Sequence, residues 1–188
     1  MRVLVLAPQP FYSERGTPIA VKLILESISR RGHLVDVLTY AEGKDIEVKN
    51  LRIWRIYQPK FTYGIRPGFS WEKLVCDLFM AVKAFNLTRS NHYDVLHAVE
   101  ESVFIALILK LVLGIPYVYD MDSSLPQQLC EKHAWLKPLL PLAYFLEGIA
   151  VKHSIMTLPV CESLAYSIKK YNPRKVFILT DIALQKTL

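Results

Sequence analysis

Two short stretches gather side chains that can trade protons or hydrogen bonds with hydroxyl groups. The first, Asp94-Val95-Leu96-His97-Ala98-Val99-Glu100-Glu101-Ser102, places a histidine near the end of an apolar run and two carboxylates after it. An imidazole can donate to a sugar-type hydroxyl while Glu100 or Glu101 accepts from another. The plainer reading is that both glutamates complement a helix N-terminus, with Ser102 helping to cap it. The second stretch, Asp120-Met121-Asp122-Ser123-Ser124-Leu125-Pro126-Gln127-Gln128, follows another apolar run. A lone Asp-x-Asp with no further ligand supports no metal site, and none is expected. Hydroxyl binding by Asp120, Asp122, Ser123 and Ser124 fits these residue types better, against capping of the next helix by Ser123 or Ser124.

A third stretch, Pro8 to Thr17, leads into a helix through Gly16 and Thr17. A glycine there lets backbone approach a ligand, and free N–H groups at a helix start suit a phosphate. The spacing is neither GxGxxG nor a Walker loop, which removes support for a dinucleotide or P-loop site; a plain connection is the alternative.

The fourth feature is charge. The formal net charge is +6. Residues 48–90 hold Lys49, Arg52, Arg55, Lys60, Arg66, Lys73, Lys83 and Arg89 against Glu72 and Asp77, which accounts for the whole excess. Within this belt Trp71, Leu74, Val75, Leu78, Phe79, Val82 and Phe85 share one helical face, which predicts that this face packs on the core. The preceding loop mixes Lys60, Phe61, Arg66 and Phe69, with Trp71 just after it. Such a segment suits an anionic lipid surface or an acceptor. Plugging of the core by a long loop is the ordinary alternative. Nucleic acid could use the same residue types through stacking and phosphate contacts, but no recognised motif supports it.

Regular elements must position these residues. Strand-like runs lie at Val3–Ala7, Leu34–Thr39, Arg52–Tyr57, Val95–Ala98, Tyr117–Asp120, Ser154–Leu158 and Val176–Leu179, with helix candidates at 17–31, 71–90, 102–113, 126–153 and 160–171. Several runs are continuously apolar, as in strands covered on both faces. Strand and helix in alternation predict a Rossmann-like α/β three-layer sandwich with a mainly parallel sheet of about seven strands. In such sheets ligands bind beyond the carboxyl ends of the strands, where all three polar stretches fall. Thr17-Pro18 opens the first helix and Arg30-Arg31-Gly32 closes it. Cys76, Cys130 and Cys161 are odd in number and lack CxxC spacing, against a disulfide framework and for a reducing compartment. The N-terminal apolar stretch is too short for a signal peptide, and Lys110 and Glu147 interrupt the longer ones before they could span a bilayer. No HExxH, GxSxG or supported Ser-His-Asp order is present.

In order and spacing the chain resembles the N-terminal half of family-4 glycosyltransferases of the GT-B fold. Met1–Ala7, the loop at Gly16, and Arg31-Gly32-His33-Leu34-Val35-Asp36-Val37-Leu38-Thr39 look like that family's opening with its GHxVxVxT run. Tyr93-Asp94-Val95-Leu96-His97-Ala98 and Gly114-Ile115-Pro116-Tyr117-Val118-Tyr119 are similar to its DVVHAH and GIPVVxTxH segments, and Glu147 before Ala150-Val151-Lys152-His153-Ser154 to its long helix and strand. The resemblance implies an acceptor-side domain over 1–180 and, at 181–188, the start of a linker to a donor-binding domain that holds the nucleotide-sugar. It implies retaining transfer of a hexose-type sugar to a glycan or lipid-linked acceptor, with no cofactor or required metal, and inactivity of this half alone. Asp122 and His97 are the implied catalytic positions. Gly16, Thr17, Glu100, Glu101, Asp120, Ser123 and Ser124 are the implied substrate contacts. Asp122 stands where the family has a histidine, Val99 where it has a second one, and Gly16 alone where it has two glycines. A cytoplasmic location follows, peripheral on the inner membrane face if the belt meets lipid. The competing expectation is a non-catalytic α/β module that binds a nucleotide or anionic lipid.

Overall fold

A computed structural model describes residues 1–14, 16–65, 70–127 and 138–180. Six parallel strands form one sheet: β1 (Arg2–Ala7), β2 (Leu34–Thr39), β3 (Leu51–Arg55), β4 (Val95–Val99), β5 (Tyr117–Met121) and β6 (Met156–Pro159), in the order β3-β2-β1-β4-β5-β6. The expected seventh strand is a strand-like flank. Val176 forms a single bridge to Thr157, Phe177 N donates to Thr157 O at 3.1 Å and Leu179 N to Pro159 O at 3.0 Å, so this segment runs along the outer side of β6. At the opposite side β3 is the outer strand.

Helices cover both faces, as the burial of successive residues along β1 and β2 requires. On one face α1 (Gly16–Arg30) lays Pro18, Val21, Leu25 and Ser29, spaced three and four apart, toward Val3, Val5, Val35 and Val37. On the other, α2 (Trp71–Ser90), α3 (Val103–Leu113) and α4 (Leu140–His153) close over Leu4, Leu6, Leu38, Leu96 and Tyr119. A short helix α5 (Glu162–Ser167) and a 3-10 turn, Ile168–Tyr171, follow β6. Local chemistry sets the boundaries: the Ser70 hydroxyl accepts from Lys73 N at 3.2 Å to cap α2, and Gly32 (φ 80°) and Gly114 (φ 76°) end α1 and α3 in left-handed conformation.

Three expectations need correction. Ser154 does not begin β6; its N–H donates to Ala150 O and its hydroxyl to Val151 O, closing α4 instead. Ser102 does not cap α3 through its side chain. Above all, the face of α2 expected to be core is so only in part: Phe79 and Phe85 are half-buried against the core, while most of the rest of the stripe turns outward. Trp71, Leu78 and Val82 are 73 %, 66 % and 55 % exposed, while Cys76, Met80, Ala84 and Leu87 are buried. Apolar residues lie nearly all round this helix, and the row of Cys76, Met80, Ala84 and Leu87 is the one that fits against the core. Residues 128–137 of the expected 126–153 helix, including Cys130, and the linker residues 181–188 lie outside the described residues.

Candidate functional site

The strand order reverses between β1 and β4, so the crevice beyond Ala7 and Val99 is where a sheet of this topology receives a ligand. A cavity of about 300 Å³ beside Arg2, Asp36 and Asn91 lies at the amino ends instead, where Asp36 accepts from Arg2 and from the Tyr93 hydroxyl and braces β1 against β2.

At the reversal the Ser102 hydroxyl donates to Leu6 O (3.0 Å) and Val99 O (2.8 Å), fastening the turn after β4 to the end of β1. The turn is a 3-10 segment, Glu100–Ser102, and Glu100 occupies left-handed space at φ 51°. A non-glycine residue held there costs on the order of 1 kcal/mol, a strain that collects at functional sites. The turn delivers Glu100 and Glu101 together into the layer between sheet, α2 and α3.

There they meet two residues of α2. Lys73 pairs with Glu101 and lies 3.7 Å from Glu100. Asp77 accepts from the hydroxyl of fully buried Tyr40 at 2.6 Å. Burial and the neighbouring Glu101 charge raise the Asp77 carboxyl to about 7, against the Tyr40 hydrogen bond and Lys73, which act the other way. Glu100 is also raised to about 7, by burial first, then by Glu101 and Asp122, with Lys73 opposing. Burial would lower Lys73, but Glu101, Glu100 and Asp77 outweigh it and hold the ammonium charged. Asp77 and Glu100 therefore retain exchangeable protons near neutrality, as a proton acceptor for a hydroxyl requires. Beside them a groove of about 310 Å³ between α2 and α3 is walled by Leu74, Phe104, Ile105 and Leu125.

Across the reversal stands the start of α1. Gly16 is exposed, and a Cβ there would meet open space, so the fold itself does not demand glycine. Thr17 is half-buried beside it. The loop before them is no plain connection. Phe11 is buried in the α1-side core, Tyr12 N donates to Lys44 O at 2.7 Å and Lys44 N to Tyr12 O at 3.0 Å. Gly43 (φ 120°) lies so close that a Cβ would come within 2.2 Å of Phe11 O. Arg55, at the end of β3, donates to Phe11 O (2.8 Å) and Glu42 O (3.0 Å) and pairs with Asp45. A cavity of about 580 Å³ opens over this framework, edged by Tyr12, Ser13, Glu14, Glu42 and Lys44.

The remaining sequence candidates scatter. His97 and Asp120 are both buried on the α1 side of the sheet, with His97 Nε2 3.0 Å from Asp120 Oδ2. Ser124 is also buried and donates to Glu147 Oε2 at 2.8 Å. Asp122 lies close enough to Glu100 for its charge to act there, and Ser123 borders the same carboxylates. Asp120 and Asp122 part company because the strand ends at Met121 and the chain bends at 122; two apart on an unbroken strand they would share one face. Lys60 and Phe61 sit exposed in a short 3-10 turn and Trp71 opens α2, whereas Arg66 and Phe69 lie outside the described residues. Among the described residues no group of three His, Cys, Asp or Glu side chains is placed to hold a metal ion.

Sequence reasoning missed Lys73, Asp77, Tyr40 and Arg55. No sequence signal marked Lys73 and Asp77: they share a side of α2 with Cys76 and Met80, whose burial only the structure reveals.

No protein-family model and no curated protein matches the chain. Solved structures do. The sucrose-phosphate synthase of Thermosynechococcus elongatus superposes with a TM-score of 0.72 at 15 % identity, over 95 % of this chain and 47 % of that one. A UGT transferase from Siraitia grosvenorii in complex with UDP gives 0.60 at 14 %, over 100 % and 53 %. Arabidopsis thaliana UGT89C1 complexed with UDP-L-rhamnose gives 0.58 at 14 %, over 100 % and 53 %. The chain thus spans about half the length of these structures, and its fold is that of one GT-B half.

Proposed function

We propose that the chain is the acceptor-side half of a retaining glycosyltransferase of the family-4 type, which moves a hexose from a nucleotide-sugar to a glycan or lipid-linked hydroxyl. The observation that carries this reading is the reversal between β1 and β4. It sets a helix N-terminus on one side and on the other Glu100, whose carboxyl is raised to about 7, on a fold shared with transferases solved with UDP or a UDP-sugar.

In this reading Gly16 and Thr17 turn the free N–H groups of α1 toward the donor diphosphate, held by a second α/β half. Glu100 takes the proton of the attacking acceptor hydroxyl, and Asp122 and Ser123 hold neighbouring hydroxyls. His97 and Asp120, paired and buried, act as positioning residues for the ends of β4 and β5. Catalysis then rests on orientation and on stabilising the departing diphosphate, which needs neither a protein nucleophile nor a metal.

The test is release of nucleoside diphosphate from a panel of nucleotide-sugars, run with the 188-residue chain alone and with the chain joined to its own donor-binding half. Release only by the joined form, reduced at least tenfold by Glu100→Gln, is the expected result. Release by the 188 residues alone overturns the half-site assignment, and none by either form overturns sugar transfer.

A further inference from the structure

The outer surface of the α2–α3–α4 layer takes no part in the site above and is strongly apolar. On α2 the outward stripe is Trp71, Leu78 and Val82. On α3, which lies between the other two and contacts both, Ile108, Leu111 and Val112 are 57 %, 67 % and 61 % exposed. On α4, Leu142, Tyr144 and Phe145 face solvent. A helix as apolar all round as α3 is ordinarily enclosed, and adjoining exposed stripes of this size mark an interaction surface.

Charge identifies the occupant. The carboxylates of these helices are mostly turned inward: Asp77 joins the Lys73 cluster and Glu147 is 2 % exposed, which leaves Glu72 outside. Cations remain at the borders, with Lys83 and Arg89 on α2, Lys152 on α4, and Lys170 Nζ 4.2 Å over the Tyr144 ring. A second copy of the chain would bring the same cations against these and repel them. An anionic bilayer supplies the opposite sign, while its acyl region accepts the apolar stripes and its interface suits Trp71 and Tyr144. No described helix is long and apolar enough to cross a membrane, so the contact is lateral.

We propose that the α2–α3–α4 face docks the protein in-plane on a bilayer containing anionic phospholipid. The inference stands independently of sugar transfer. Co-sedimentation of the 188-residue chain with vesicles of equal parts phosphatidylcholine and phosphatidylserine, and with phosphatidylcholine alone, tests it. Binding is expected to the mixed vesicles, with at least a tenfold loss in the pair Lys83→Ser with Arg89→Ser and in the pair Leu78→Asp with Phe145→Asp. Leu78, Arg89 and Phe145 are exposed and Lys83 is half-buried over the Trp54 ring, so circular dichroism melts of each pair against the parent separate lost docking from lost folding. No binding, equal binding to neutral vesicles, or binding untouched by both pairs overturns the proposal. So does a self-associated chain that fails to bind vesicles and becomes monomeric with Leu78→Asp and Phe145→Asp, as read by light scattering.

Discussion

His97 and Asp120 meet across neighbouring parallel strands: Nε2 of the first is 3.0 Å from Oδ2 of the second, although in register His97 pairs with Val118 and Asp120 with Val99. The contact is a diagonal one between two buried polar side chains on the side of the sheet that α1 partly covers. Removing either partner leaves the other buried without its mate.

Asp120→Ala is therefore expected to lower stability by about 1–3 kcal/mol, measured by urea denaturation. Replacing both residues by Leu should cost less than the sum of the single changes, because no orphaned polar group remains. Additive losses would show that the two side chains are not coupled.

The carboxyl cluster makes stability depend on pH. Asp77 and Glu100 are raised in the folded chain from ordinary values of 3.8 and 4.5 to about 7. The native state thus binds more protons than the unfolded one inside that window. Stability should fall as pH rises from about 4 to 7 and level off above it. Asp77→Asn with Glu100→Gln should flatten the slope, so the doubly changed chain gains on the parent at pH values above 7, as followed by urea midpoints at several pH values.

Glu147 collects three donors: the Ser124 hydroxyl and Leu125 N at 2.8 Å on one oxygen and the Tyr171 hydroxyl at 3.0 Å on the other. It joins the segment after β5 to α4 and to the turn after α5. Glu147→Ala should cost roughly 3 kcal/mol and Tyr171→Phe about 1 kcal/mol, read from thermal or denaturant unfolding.

The two sides of α2 should respond oppositely to mutation. Met80→Ala opens a cavity against the sheet and is expected to cost about 2–5 kcal/mol. Leu78→Ser, on the outer stripe, should shift stability by no more than about 0.5 kcal/mol. Equal losses would mean that the stripe is packed after all.

The parallel sheet was legible because strands covered on both faces are mostly apolar: Val3–Ala7 is so throughout, and Leu34–Thr39 departs only at Asp36 and Thr39. Gly32 and Gly114 likewise announced their helix ends. The orientation of α2 was not legible, since apolar residues lie nearly all round it and only contact with α3 and the sheet selects Cys76, Met80, Ala84 and Leu87 as its buried row. Site residues followed the same division. Glu100 and Glu101 could be found by their position after a strand. Lys73 and Asp77, four apart on a helix, look like a solvent pair until the turn after β4 brings two more carboxylates against them.

The two rims of the sheet are protected by different means. Backbone from Lys175 to Leu179 occupies the free peptide groups of β6, so no foreign strand can add there. On the other rim the described residues place nothing beyond β3, and an open row of N–H and C=O groups is a template for fibrillar growth. What stands there is positive charge: Arg52 and Lys83 both lie over the Trp54 ring, 5.7 and 5.4 Å from its centre. Two like copies approaching edge to edge would press these cations together, so part of the basic belt serves as a gatekeeper against aggregation, whatever else it binds.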